Sequence, residues 1–296
     1  MDRLEAMRVF VAVAEESAFA GAARRLHLSP PSVTRAVALL EDRLGTALFQ
    51  RSTRHVRLTE AGERFLADAR RILSDLEEAE ASAAGLHGAP RGQLSITASL
   101  MFGRRHVAPV VLDFLDHYPD VSARLLLLDR VTNLIEEGFD VAVRIAHLQD
   151  SSLSAVRVGH VRPVVVASPD YLARHGAPQK PQDVMDHTCL LFAPPIVAEG
   201  WHFHDEVIEP PSRFFVNSAE AVIAAAVAGR GITRVLSYMV APELQAGKLK
   251  VLLAEYERPP IPVHLLHAEG RRANAKLRAF IDFAAEGLRA NPVLQN

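Results

Sequence analysis

A short stretch near the N-terminus carries polar side chains whose order suits contact with a nucleic acid. Ser29 is a favourable helix N-cap, and Pro30 follows at the first helical position, where a proline costs least. The apolar residues after it recur at helical spacing, so Ser32, Thr34 and Arg35 must point outward near the helix start. Short hydroxyls and an arginine at this end of an exposed helix suit the reading of base edges in the major groove.

A second helix must precede this one and hold it in place. Residues 19–26 predict that short helix, and His27 and Leu28 interrupt it. Between residues 24 and 58, seven arginines stand against two acidic residues, a surplus of five positive charges that suits the phosphate backbone. Residues 51–58 predict a small β-wing whose arginines would also contact phosphates. The pattern favours DNA binding, and the alternative is a helical pair with a solvated arginine face.

Further motifs continue this segment in a fixed order. They are the run from Phe19 to Arg35, then Leu40-Glu41, Leu44-Gly45, Leu48-Phe49, Arg51 and Leu58-Thr59-Glu60-Ala61-Gly62. Together they closely resemble the LysR-type transcriptional regulators. The resemblance implies that residues 1–58 form a winged helix-turn-helix, which lays residues 29–35 in the major groove.

The expected DNA contacts follow from this resemblance and from the exposed face of the helix. They are Ser29, Pro31, Ser32, Thr34 and Arg35 in the groove, with Arg51 and Arg54 on the backbone. The family often has glutamine where Pro30 stands and serine where Thr34 stands. Proline cannot hydrogen-bond a base edge, so the family's commonest base contacts cannot all be carried over to this chain.

Residues 59–86 predict a long helix with a narrow apolar seam. The seam positions alternate in spacings of three and four, as in a coiled coil: Gly62, Phe65, Ala69, Ile72, Leu76, Ala79, Ala83 and Leu86. We expect this helix to pair with a second copy, the alternative being a helix laid on its own C-terminal domain. The resemblance implies that residues 59–90 link two DNA-binding heads on an interrupted palindrome.

Beyond a breaker cluster at residues 88–92, short apolar segments alternate with helical ones. Predicted strands cover residues 95–98, 123–128, 141–145, 161–167 and 263–267, and predicted helices cover 107–117, 133–137, 219–228 and 273–288. This alternation indicates an α/β region with a mostly parallel sheet. The fold class predicted for the whole chain is therefore α+β and multidomain.

The family resemblance implies that residues 91–296 form a two-lobed effector domain like the type 2 periplasmic binding proteins. Lobe I would comprise residues 91–162 and 267–296, and lobe II residues 163–266, with crossovers near 161–163 and 266–268. A ligand is expected at strand ends and helix N-termini, where free N–H groups favour an anion. The candidate effector residues are Ser99, Met101, Phe102, Arg104, Arg130, Ile145, Asn217, Ser218 and Thr233.

Two pairs of reactive residues are better explained as structure. His202 and His204 could share one strand face as metal ligands, but the nearby sequence offers no third ligand. His187 and Cys189 could pair a base with a nucleophile, but the sequence offers no orienting partner, and a buried thiol is expected. We predict no catalytic residue, metal or cofactor. A solute-binding protein and an enzyme on the same two-lobed fold are the rival classes.

Composition limits the remaining possibilities. The 296 residues correspond to two or three domains, and 49% hydrophobic with 23% charged residues indicates a globular core. A net charge of −2 excludes a histone-like wrapper of DNA, and a single cysteine excludes an internal disulfide. Without an export signal or a membrane-length apolar stretch, we expect a cytoplasmic protein. Expected partners are double-stranded DNA, a small effector with anions as one candidate class, further copies in a dimer and tetramer, and RNA polymerase if the protein activates.

Overall fold

The computed structural model describes residues 2–51, 56–83, 89–148, 153–192, 200–268 and 274–295. The chain divides into two units, Met1–Gly88 and Ala89–Asn296. Within the described residues, no helix is both long and apolar enough to cross a membrane.

The first unit consists of four helices and a two-stranded wing. Its elements are α1 (Arg3–Glu16), α2 (Phe19–Arg25), α3 (Pro30–Leu44), β1 (Phe49–Arg51), β2 (Val56–Leu58) and α4 (Glu60–Ala83). The Phe10 ring lies at the centre, 5.2 Å from the Phe49 ring and 5.3 Å from the Phe65 ring. These contacts join α1, the wing and α4 in one core. The predicted helix pair and the predicted wing are both confirmed.

The first half of α4 packs into the core of its own unit. Gly62 lies so close to Leu48 that an added Cβ would sit 2.1 Å from the Leu48 carbonyl oxygen. Ala69 is fully buried and Leu73 is 8% exposed, and both belong to the core of this unit. The first half of α4 therefore covers α1 and the wing, and its buried face is not available to a partner.

This packing corrects the start of the predicted seam. Gly62, Phe65 and Ala69 lie against the first unit itself, because without α4 the apolar faces of α1 and the wing would meet water. Ile72 is 38% exposed and remains available to a second copy. The side chains of Ala79 and Ala83, and the whole of Leu86, lie outside the described residues.

The second unit consists of strands with helices at several of the connections between them. Its main elements are β3 (Gly92–Ala98), α5 (Leu100–Phe102), a π-helical turn (Gly103–Val107), α6 (Ala108–His117), β4 (Val121–Leu127), β5 (Val141–Ile145), β6 (Ser154–Val161), β7 (Pro163–Ala167), α7 (Pro169–His175), β8 (Cys189–Phe192), β9 (Trp201–His202), β10 (Val207–Ile208), β11 (Ser212–Val216), α8 (Ala219–Val227), β12 (Ile232–Leu236), α9 (Ser237–Gln245), β13 (Lys250–Leu252), β14 (Ile261–His267) and α10 (Ala275–Arg289). Short 3-10 helices cover Pro181–Asp186, Ala254–Tyr256 and Pro292–Leu294.

Ten of the described strands form two five-stranded sheets of the same design, one for each lobe, and β9 and β10 pair separately as a two-stranded antiparallel sheet. The orders of the five-stranded sheets are β4-β3-β5-β14-β6 and β11-β8-β12-β7-β13. In each of them four strands run in one direction, and one strand, β14 or β7, runs antiparallel to both of its neighbours. The prediction of a mostly parallel sheet is therefore confirmed in strand direction, although the one reversed strand makes each sheet mixed. The chain enters β7 and β14 directly from the opposite lobe, so these strands need no covering crossover helix and pair antiparallel.

Two further predictions for this unit are corrected. The second crossover lies before Ile261, because β14 pairs with β5 and β6 and so belongs to the first lobe. The segment predicted as a helix at residues 133–137 is a turn, in which the Asn133 side chain accepts from the backbone of Ile135 and Glu136. Such local side-chain bonds compete with helix formation. The other predicted strands and helices are present with ends shifted by a few residues.

Candidate nucleic-acid interface and ligand cleft

The helix-turn-helix is held together by its tight turn. His27 adopts a left-handed backbone conformation with φ of 54°, and the Leu28 N–H donates to the Ala23 carbonyl at 2.9 Å. Ser29 then caps α3, because its hydroxyl accepts the Ser32 N–H at 3.3 Å. The sequence thus fixes both the end of α2 and the start of α3.

The first turns of α3 present the predicted contact residues to solvent. Pro31, Thr34 and Arg35 are exposed, while Val33 beside them is fully buried. The hydroxyls of Ser29 and Ser32 lie 2.8 Å apart, and the Thr34 hydroxyl donates to the Pro30 carbonyl at 3.1 Å. The structure therefore brings these groups together on one exposed face, and Arg35 gives this face a positive charge.

Arg25 is bound to α1 and does not add charge to this face. Its guanidinium donates to Glu15 at 2.6 Å, and Arg70 of α4 donates to the other Glu15 oxygen at 2.8 Å. Burial alone would raise the pKa of Glu15, but the two guanidinium hydrogen bonds hold it below its ordinary value. The formal surplus of five charges stands, but Arg25 is paired with an acid outside the counted segment and is less available to phosphates.

The wing is positioned by a carboxylate that the sequence showed only as a negative charge and as part of a family motif. Glu41 of α3 accepts the backbone N–H groups of Leu48 at 2.9 Å and Phe49 at 3.2 Å. This fixes the start of β1, which pairs antiparallel with β2. Arg51 lies on β1 with only its backbone described, and Arg54 lies outside the described residues.

Three strand ends of the first lobe meet at one sheet edge. Ala98, at the end of β3, is in register with Leu127 of β4 and Val143 of β5. Ser99 and Ile145 therefore lie at the same edge, as predicted. In the second lobe Val216 is in register with Phe192, so β11 ends beside β8 and leads directly to Asn217 and Ser218.

Several candidate effector residues serve the fold instead. Thr233 is fully buried, and its hydroxyl donates to the Leu190 carbonyl at 2.8 Å, so the prediction that it faces a ligand is wrong. Phe102 is fully buried against Tyr238. Ser218 caps α8 by accepting the Ala221 N–H.

The two candidate arginines are both engaged. Arg104 forms an ion pair with Glu220 at the start of α8. Arg130 makes a two-pronged contact with Glu137, at 2.8 and 2.6 Å. This contact raises the pKa of Arg130 and lowers that of Glu137. Neither guanidinium offers an unpaired charge in this structure.

Asp129, which the sequence places in one turn with the candidate Arg130, also contributes here, as do Tyr238 and Arg105, which the sequence did not single out. Asp129 accepts the Leu100 N–H at 2.9 Å, and the buried Tyr238 hydroxyl hydrogen-bonds to Ser99. Arg105 of the first lobe donates to the Met239 carbonyl of the second lobe at 2.8 Å. Arg105 also lines a cavity of about 270 Å³, together with Met101 of the first lobe and Glu220, Ile223, Ala224, Val227, Glu243 and Lys248 of the second. Only the strand-end position of Asp129 gave a usable signal in the sequence.

The remaining reactive residues do not form a catalytic or metal-binding group. Burial raises the pKa of Cys189 to about 12, so the thiol stays protonated. The Nδ1 atom of His187 faces the Tyr171 hydroxyl at 3.2 Å rather than the thiol. Within the described part of the chain, no three His, Cys, Asp or Glu side chains are close enough to share a metal ion.

A winged helix-turn-helix followed by a two-lobed domain defines the class of ligand-responsive transcriptional regulators. The family model for the bacterial regulatory helix-turn-helix protein of the lysR family matches residues 4–63. The model for the LysR substrate binding domain matches residues 87–289. The chain therefore belongs to the LysR family of transcriptional regulators.

Full-length relatives agree with this assignment. The chain is 34% identical over 291 residues to the HTH-type transcriptional regulator CrgA of Neisseria meningitidis, with 97% of each chain covered. It is 34% identical over 286 residues to the HTH-type transcriptional activator AaeR of Escherichia coli, covering 95% of this chain and 93% of that one.

Solved structures show the same architecture. The structure of CrgA matches with a TM-score of 0.62 over 97% of this chain and 99% of that one, at 33% identity. The full-length Vibrio cholerae virulence activator AphB also matches with a TM-score of 0.62, at 27% identity and with the same coverage of both chains. This protein is a DNA-binding transcriptional regulator with an effector-binding domain, which removes the enzyme and the solute-binding protein as alternatives.

Proposed function

We propose that the start of α3 contacts the bases of an operator sequence and that the wing contacts the phosphate backbone of the same DNA. The observation that carries this proposal is the Ser29-capped helix with Arg35 exposed on it. Pro31 and Thr34 offer apolar contact, and the two serine hydroxyls offer hydrogen bonds. Arg51 and Arg54 of the wing would neutralise phosphates. Pro30 contributes no hydrogen bond, so the base contacts come from the residues after it.

The operator is an interrupted palindrome read by paired copies of the chain. The exposed Ile72 of α4 supports this pairing, since it continues the apolar seam beyond the part used by the first unit. The linker assignment of residues 59–90 rests on the same helix. Two dimers joined in a tetramer would occupy neighbouring sites, and contact with RNA polymerase follows if the protein activates. Because its target is chromosomal DNA, we place the protein in the cytoplasm.

The effector lies between the two lobes, at the edge where β3, β4 and β5 end. Its binding changes the angle between the lobes and thereby the spacing of the paired heads. The ligand can shift this balance only by its differential affinity for the two arrangements. Ser99 and Ile145 from the first lobe and Asn217 from the second support this location.

The experiment is a titration of the full chain with DNA from beside its own gene at two salt concentrations. Each phosphate that the protein contacts releases bound counterions from the DNA. Each such contact should therefore lower the logarithm of the binding constant by roughly 0.9 per unit of log salt. A duplex of unrelated sequence serves as the control. Binding that is absent, or that ignores both salt and sequence, would overturn the proposal.

A further inference from the structure

One carboxylate already occupies the place where an anionic effector would be expected. Asp129 follows β4, and its Oδ1 atom accepts the Leu100 N–H at 2.9 Å, at the first residue after Ser99. Free N–H groups at such a helix start attract anions. Here the protein supplies its own anion, the carboxylate of Asp129. A ligand carboxylate at this edge would therefore be repelled by a charge of the same sign. This inference rests on the proposed effector cleft.

The guanidinium groups around this edge are committed to other partners. Arg104 is paired with Glu220, and Arg130 is held by both oxygens of Glu137. Arg105 donates to the carbonyls of residues 238 and 239. Asp129 is therefore not offset by a free guanidinium from Arg104, Arg105 or Arg130.

The same strand ends are followed by exposed apolar side chains. Val131, two residues beyond Asp129, is 75% exposed, and Leu148, three residues beyond the end of β5, is 39% exposed. Large exposed apolar side chains gain free energy when a ligand covers them. Ser99, which follows β3 at this edge, carries no net charge.

We propose that Asp129 makes the effector cleft select ligands that carry a hydrogen-bond donor on an apolar body and reject carboxylates. The donor is an amide or an ammonium group, and the carboxylate of Asp129 accepts from it. An anion of the same shape must bring its charge close to Asp129, or displace it from the Leu100 N–H. This proposal replaces the expectation of an anionic effector. That expectation was based on the free N–H groups of a helix start, but at Leu100 the N–H is already bound by Asp129.

Two sets of matched probes test the proposal on the full-length chain. Benzoate, benzamide and benzylammonium share a ring, and isovalerate, isovaleramide and isopentylammonium share a branched chain. A ligand that binds only the folded state raises Tm, so thermal unfolding with each probe at about 10 mM ranks their affinities. We expect the amide or the ammonium member of at least one set to raise Tm and to bind about tenfold more tightly than its carboxylate.

Asp129→Asn provides the decisive comparison, because an asparagine oxygen can still accept the Leu100 N–H while the charge is lost. We expect carboxylate binding to improve about tenfold in this variant and ammonium binding to weaken correspondingly. Asp116→Asn removes an equally exposed carboxylate from α6 in the same lobe and should leave the ranking unchanged.

Three outcomes overturn the proposal. They are a carboxylate that binds as tightly as its amide, a ranking that Asp129→Asn does not change, and a failure of all six probes to raise Tm. Operator binding by the same preparation separates these from failure of the regulatory function. Intact salt-dependent binding to the operator with a carboxylate preference rejects only the role of Asp129, whereas loss of operator binding rejects the proposed function.

Discussion

The Arg105 guanidinium in the first lobe donates a 2.8 Å hydrogen bond to the Met239 carbonyl in the second lobe. A further bond of 3.3 Å reaches the Tyr238 carbonyl. Arg105 lies in the π-helical turn that follows the proposed effector edge, and both acceptors lie at the start of α9, directly after β12, which pairs with the crossover strand β7. This guanidinium therefore joins the turn after β3 in the first lobe to the start of α9 in the second.

Arg105→Met should therefore weaken the joint between the lobes. Hydrogen bonds to a charged group contribute about 1.5–3 kcal/mol, so we expect the free energy of unfolding to fall by roughly that amount in urea titrations. Arg104→Met is the matched control, since the neighbouring ion pair with Glu220 is exposed and should contribute under about 1 kcal/mol. Equal losses in the two variants would contradict a special role for Arg105.

Arg35→Ala should weaken operator binding by about 1–3 kcal/mol if the guanidinium contacts a base in two places. Titrations of operator and unrelated duplexes distinguish the two possible roles. A base contact predicts a loss confined to the operator, and a phosphate contact predicts a similar loss on both. Arg43→Ala, at the far end of α3, should change operator affinity less. Unchanged affinity in Arg35→Ala would rule out the recognition-helix assignment.

Glu41→Ala should destabilise the first unit by about 1.5–3 kcal/mol, because two backbone N–H groups lose a charged acceptor. The wing should then lose its fixed position, and DNA affinity should fall although no DNA-contacting side chain has changed. Asp42→Ala removes the neighbouring exposed carboxylate and should have little effect on stability. Denaturant titration and DNA binding measure the two quantities, and indistinguishable variants would refute this role.

The hydrogen-bonded Glu15 gives the first unit a predictable response to acid. Its folded-state pKa lies below the ordinary value, so its contribution is present at neutral pH and is lost as pH falls through the folded pKa. Glu15→Gln should cost about 0.5–1 kcal/mol at pH 7, and the difference from the parent should shrink below about pH 4. Glu16→Gln is the control. A difference that persists unchanged into acid would contradict the prediction.

Two helical glycines should respond to alanine with opposite signs. Gly62→Ala places a methyl 2.1 Å from the Leu48 carbonyl oxygen, so the backbone must move at a cost of about 1–3 kcal/mol. Gly287→Ala places its methyl 3.5 Å from Val110, an ordinary contact. There the better helix propensity of alanine should add about 1 kcal/mol of stability. Thermal unfolding of both variants checks the signs.

The sequence by itself determined the local structure of the DNA-binding head. Ser29 and Pro30 start α3 through capping and proline geometry, and the alternation of apolar residues puts Arg35 on the outside. These effects act within one or two helical turns, so they can be read from spacing alone. The strand–helix alternation of the second unit was equally visible, because burial imposes a period on each element.

Tertiary structure decided what each side chain meets. Thr233 looked like a ligand contact until β12 placed it between two strands, and Asp129 showed its partner only once β4 lay in register with β3. Gly62 read as a seam position, although its missing side chain makes room for a carbonyl 14 residues earlier. Such contacts join residues far apart in the chain. Which charge is free and which is paired therefore depends on the register of strands and helices, which no local pattern specifies.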